Sequence, residues 1–215
     1  QFQLAFEQLG IFQDPVLTPG PPTPGAEDFG NPVPVLGVRS FERVNASMAA
    51  VTGVDANLTT IDDVYDVLIQ QLPSTTDLRS FVSANQVGVA KLGTEYCDVL
   101  VGDASPGSQV LRDAFFPGAA DFGWDLAPSS AFFDPVDVDL VTDPLLDQIV
   151  GAGMRGDVMG SPARDQVEAI LDQLIVDLSA LCGGAGEPVC DGNYTKSIVK
   201  GLCASVISSG AVLIH

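Results

Sequence analysis

Cys97, Cys182, Cys190 and Cys203 are the residues with the most definite chemistry in this chain. Their spacing contains no C-x-x-C pair and no C-x-x-C-H run, and the only histidine is His215. Structural zinc, covalently attached haem and thioredoxin-like redox sites need those patterns or a histidine partner. Two disulfides formed in an oxidising compartment are the reading that survives. Four cysteines allow three connectivities. Cys182 and Cys190 flank a flexible Gly-rich stretch, Gly183-Gly184-Ala185-Gly186-Glu187-Pro188-Val189, which a local bridge would close. Cys97 and Cys203, each late in a helical pattern, then form the second bridge.

The lone histidine, the last residue His215, also rules out most Ser-His-Asp and Cys-His catalysis. Carboxylates are abundant, 28 Asp+Glu against 9 Lys+Arg, for a net charge of −19. Asp134, Asp137, Asp139 and Asp143 cluster at a spacing that Ca²⁺ could use, but the EF-hand pattern is absent and a solvated acidic loop is the expected role. A pair of carboxylates across a cleft can hydrolyse glycosides, yet nothing in the sequence selects a pair. An acidic secreted hydrolase is therefore the weakest functional reading. No catalytic residue, metal or cofactor is expected, and the chain reads as not an enzyme.

Two Asn-x-Thr triplets, Asn57-Leu58-Thr59 and Asn193-Tyr194-Thr195, each have an aspartate two residues earlier, Asp55 and Asp191. That is the extended acidic form of a bacterial N-glycosylation acceptor, although such residues next to helix starts also serve as caps. Asn45-Ala46-Ser47 lacks the acid. Trp124 with Phe115, Phe116, Phe132 and Phe133 offers either a ligand groove or a satellite core, and the core is the expected role.

The elements that must position these residues follow from periodicity. In residues 1–12, Phe2, Leu4 and Phe6 alternate with polar or small positions, the period-2 pattern of a half-buried strand. Residues 13–37 form a proline-rich linker with extended, semi-rigid character. From residue 38 to 215 the period is helical. Ser40 caps a first helix through Phe41, Val44, Met48 and Val51, which Gly53 stops. Thr60–Asp63 and Ser74–Asp77 read as capping boxes, the second opening a long helix through Val89, Leu92, Tyr96 and Leu100. Further helices are expected near 108–115, at 143–150 with Asp143 as its cap, after Ser161-Pro162, and at 195–209. The stripe Val167, Ile170, Leu171, Leu174, Ile175, Leu178 and Leu181 is the most sharply amphipathic. Val136, Val138 and Leu140 alternate with aspartates and read as a second strand. The expected fold is mainly α: a helical bundle with two disulfides, preceded by the linker and a single N-terminal β-strand.

Hydrophobic residues make up 46% of the chain, so its acidity does not signal disorder. The charge excludes nucleic acid and anionic membrane surfaces as partners. No run is long and apolar enough for a transmembrane segment, and no signal peptide is visible, which reads as a mature secreted chain. An aspartate-rich, lysine-poor surface fits a salt-rich, marine or mildly halophilic extracellular setting.

Phe41-Glu42-Arg43-Val44-Asn45-Ala46-Ser47-Met48-Ala49-Ala50-Val51-Thr52-Gly53-Val54, Gln71-Leu72-Pro73 and Gln86-Val87-Gly88-Val89-Ala90-Lys91-Leu92-Gly93-Thr94-Glu95-Tyr96-Cys97 resemble the C-terminal helical region of secreted LamG-domain-containing proteins of marine gammaproteobacteria. Asp143-Pro144-Leu145-Leu146-Asp147 and the cysteines fit the same pattern. The resemblance implies a laminin-G-like β-sandwich followed by a proline-rich linker and this helical region, with residues 1–10 as the sandwich's last strand. It carries no catalytic residues.

Together these features point to a non-catalytic extracellular or cell-surface protein with a structural or interaction role. Its strand-pairing residues Phe2, Leu4 and Phe6 would add to a protein partner or an identical subunit, giving a homo-oligomer or filament. The alternative is the stalk of a glycan-binding LamG-type surface protein.

Overall fold

A computed structural model of the chain describes residues 39–71, 83–103, 107–119, 122–151, 163–184 and 186–209. All of them lie in the unit Gly37–His215. The expected strand at 1–12, the linker at 13–37 and the box at Ser74–Asp77 lie outside the described residues.

The described residues form eight α-helices and no strand: α1 (Phe41–Thr52), α2 (Thr59–Gln71), α3 (Ser83–Val101), α4 (Ser108–Phe115), α5 (Pro128–Ala131), α6 (Pro135–Leu145), α7 (Arg164–Ser179) and α8 (Gly192–Ile207). A π-helical turn, Leu146–Gly151, continues α6. The α3–α8 pair is the axis of the bundle. Helices α1, α2 and α4 pack on α3, and α5, α6 and α7 pack on α8. The central seam joins Val89, Leu92, Tyr96 and Leu100 of α3 to Ile198, Leu202, Val206 and Ile207 of α8, all buried. Each such side chain contributes about 2 kcal/mol on removal from water. Gly93 lets the two helices approach closely, since a Cβ there would lie 2.8 Å from Ile207 Cγ2.

Local chemistry sets the helix ends. Ser40 accepts from Arg43 N–H, and Gly53 ends α1 at φ +72°, a conformation that a Cβ disfavours. Asp191 caps α8 by accepting from Tyr194 N–H, so α8 opens at Gly192 rather than at Thr195. Thr60 does not cap α2. That helix begins one residue earlier, and the N–H groups of Ile61 and Asp62 both reach Leu58 O.

The expected strand Val136–Leu140 is a helix. Asp134 accepts from Val136 N–H while Asp137 reaches back to Asp134 N–H, and Pro135 presets the first helical φ. These local bonds override the alternation, and Val138 and Leu140 lean on the core from the helix instead. Val136 is 64% exposed, and Val141 and Leu145 are the buried positions. Asp143 is accordingly not a helix cap. It sits inside α6 beside Pro144, which has no N–H to give, and the backbone widens into the π turn immediately beyond. The Leu171 and Ile175 stripe of α7 is buried as expected, whereas Leu181 lies past the helix end and is exposed.

Both disulfides form, Cys97–Cys203 across the α3–α8 axis and Cys182–Cys190 around the Gly-rich loop. The long bridge spans 106 residues and the short one 8. On the loop-entropy account they contribute about 4.8 and about 2.6 kcal/mol.

Candidate functional site

The most organised polar cluster lies where the end of α3, α4 and α8 meet. Asp103 follows α3 and accepts from both Arg112 Nη1 (2.9 Å) and Lys196 Nζ (2.5 Å). Lys196 also donates to Asp125 at 2.9 Å, and Arg112 to the carbonyl of Val101 at 3.0 Å. The two cations are buried and the two carboxylates face solvent. Arg112 Cζ stands 4.8 Å from the Trp124 ring centroid, and Trp124 Nε1 donates to Ala119 O. Beside the cluster an open depression of about 420 Å³ is lined by Gln109, Arg112, Asp113, Trp124, Asp125 and Leu126.

The electrostatics of the cluster hold charge in place. The Lys196 and then the Arg112 hydrogen bonds keep the Asp103 carboxyl below its ordinary range. Burial depresses the Lys196 ammonium, but the bonds from Asp103 and Asp125 outweigh it and the net shift is upward. A general acid or base works best with its pKa near the operating pH. Asp103 and Lys196 move away from neutrality in opposite directions, which keeps both charged and holds the clasp together.

A second clasp joins α6, the π turn and α7. Arg164 bonds Asp143, Asp147 and Glu168 together, and those contacts, led by Asp147, push its pKa up against burial. Lys200 of α8 pairs with Asp98 of α3.

Of the four aspartates considered for calcium, Asp134 accepts from Val136 N–H, Asp137 from Asp134 N–H and Asp143 from Arg164. Asp139 is exposed, and burial first, then the charges of Asp139 and Glu168, raise the Asp172 carboxyl of α7. Among the described residues no three Asp, Glu, Cys or His side chains come together as a metal site. Phe115, Phe116 and Trp124 are buried with Phe122 in edge-to-face contacts, and Phe132 leans on Phe122. Phe133 stands apart, 83% exposed. Asn57 and Asn193 are both exposed, each with its Nδ2 turned to the preceding aspartate, Asp55 at 2.9 Å and Asp191 at 3.4 Å. Phe2, Leu4 and Phe6 lie outside the described residues.

The clasp on Asp103 has no motif. Its one signal in the sequence is Lys196, a rare lysine set next to the apolar run Ile198-Val199 of α8 in a lysine-poor chain. Comparison with protein families, curated proteins and solved structures finds no match for this chain.

Proposed function

We propose that this protein is a non-catalytic extracellular structural module, a disulfide-stapled helical domain that joins an assembly through β-strand addition by residues 1–12. One observation carries the reading. Residues 1–12 have the alternation of a strand, with Phe2, Leu4 and Phe6 on one face, while the described residues of the helical domain contain no strand to pair with it. A strand needs an edge for its N–H and C=O groups, and a proline-rich tether gives it reach. Pairing between copies runs through residues 1–12 of each, and three or more must come together for such a sheet to persist in water. A head-to-tail arrangement whose rotation does not close a ring grows into a filament. Two disulfides, no described helix able to cross a membrane, and an acidic surface are compatible with life outside the cell.

The resemblance carried by residues 41–54 and 86–97 favours one other acceptor, a laminin-G-like sandwich whose glycan-binding surface this domain would carry as a stalk. Negative-stain electron microscopy of the native material separates the two. Repeating filaments support self-assembly, whereas uniform single particles refute it and leave the stalk reading.

A further inference from the structure

The three Asn-x-Ser/Thr triplets sit in different environments. Asn45 lies within α1, where its Oδ1 accepts from the Tyr96 hydroxyl at 2.6 Å and Ser47 accepts from Arg39 Nη1 at 2.7 Å. Asn193 occupies the first turn of α8. Its partner Thr195 is 0% exposed and donates its hydroxyl to Leu126 O at 2.6 Å. The adjacent Gly192 is pressed on the backbone of Asp125, with 2.4 Å between a built Cβ and Asp125 Cα. Opening that triplet means lifting the start of α8 from the core.

Asn57 is different. It lies in the connection between α1 and α2, and Asp55, Asn57 and Thr59 are all exposed. Asp55 Oδ1 accepts from both the N–H and the Nδ2 of Asn57, each at 2.9 Å, and these bonds keep its carboxyl ionised below the ordinary range. The local ties are surface hydrogen bonds, the first turn of α2 and Leu58, which leans on the edge of the core, and Thr59 is exposed where Thr195 is buried.

We infer that Asn57 is a glycan attachment site, modified by an oligosaccharyltransferase that uses a polyprenyl-diphosphate-linked oligosaccharide as donor. The motif and its exposure carry the assignment: a carboxylate at Asp55 for a cationic contact in the transferase, the acceptor amide at Asn57, and the hydroxyl at Thr59. In the transfer, Asn57 Nδ2 attacks the anomeric carbon of the first sugar. The N–C bond forms and the C–O bond to diphosphate breaks. The polyprenyl diphosphate leaves with the electron pair, and one amide proton passes to a base of the transferase. The inference shares only the export of the chain with the proposed function and needs no strand pairing.

The test is peptide mapping of protein from its natural producer, with electron-transfer fragmentation to place any glycan, and with the disulfide state read in the same digest. The expected result is a glycan on Asn57 and none on Asn45 or Asn193. In the same host, Asp55→Ala should lower occupancy at Asn57 at least tenfold, with folding checked by circular dichroism. An unmodified Asn57 overturns the inference. If the disulfides are nonetheless formed, the extracellular reading stands without it; free thiols would remove both. Occupancy undiminished in Asp55→Ala overturns the assignment of a transferase that reads the acidic residue.

Discussion

At the scale of residues, four of the nine cations of this acidic chain sit at its joints. Arg112 and Lys196 converge on Asp103, Lys200 ties α8 to α3, and Arg164 ties α6 and the π turn to α7. Asp103→Asn keeps the shape of the side chain but leaves two buried cations short of a counter-charge. Asp103 is itself 56% exposed, so the cost falls below that of a fully buried pair, at about 1–2 kcal/mol by denaturant unfolding at pH 7. The sign with pH follows from the direction of each shift. Asp103 is lowered in the fold, so its contribution is present above the unfolded carboxylate value of about 3.9 and is lost as pH falls through the folded value. Lys196 is raised, so its contribution is present below about 10.4 and is lost as pH rises through its folded value. Unfolding free energies measured across pH should show Asp103→Asn with a flatter acid limb than the parent. An unchanged acid limb would remove Asp103 from this role. The Asp98–Lys200 and Asp103–Lys196 pairings were not legible in the sequence, because they join residues about a hundred positions apart and the setting of Lys196 beside Ile198-Val199 names no partner.

At the scale of elements, legibility depended on whether the burial pattern and the local capping chemistry agreed. They agree in α1, where Ser40 and Gly53 bracket the Val44 and Met48 face, while α4 runs over the span its periodicity gives without a side-chain cap. They conflict in α6, where apolar residues alternate but Asp134, Pro135 and Asp137 nucleate a helix. The capping chemistry decides, since three side chains fix the first turn before any partner strand can form. Asp191 was readable as a cap of the last helix, but the start at Gly192 rests on the bond it accepts from Tyr194 N–H. The α3–α8 axis gives the sharpest test of packing. Gly93→Ala gains helix propensity of about 1 kcal/mol but drives a methyl group into Ile207, an overpacking cost of about 1–3 kcal/mol. A net loss of stability is expected, read as a lower midpoint in urea. A gain would mean that the two helices have room to spare.

At the scale of the whole molecule, the helical domain is held by two covalent links of unequal reach. The cysteine pairing was legible because a Gly-rich loop singles out Cys182–Cys190 and leaves one partner for Cys97. Replacing Cys97 and Cys203 together by alanine should cost about 4 kcal/mol, and the Cys182 and Cys190 pair about 2–3 kcal/mol. Equal costs, or the reverse order measured by thermal unfolding, would break the assignment of the long bridge as the main staple. The functional account rests on residues 1–12, whose alternation is clear in sequence. Hydrogen–deuterium exchange of the Phe2–Phe6 amides, compared between native assemblies and dissociated subunits, tests that account most directly. Strand addition predicts slow exchange in the assembly and fast exchange in the free subunit. Fast exchange in both states, with the α3 and α8 amides still protected, would contradict it.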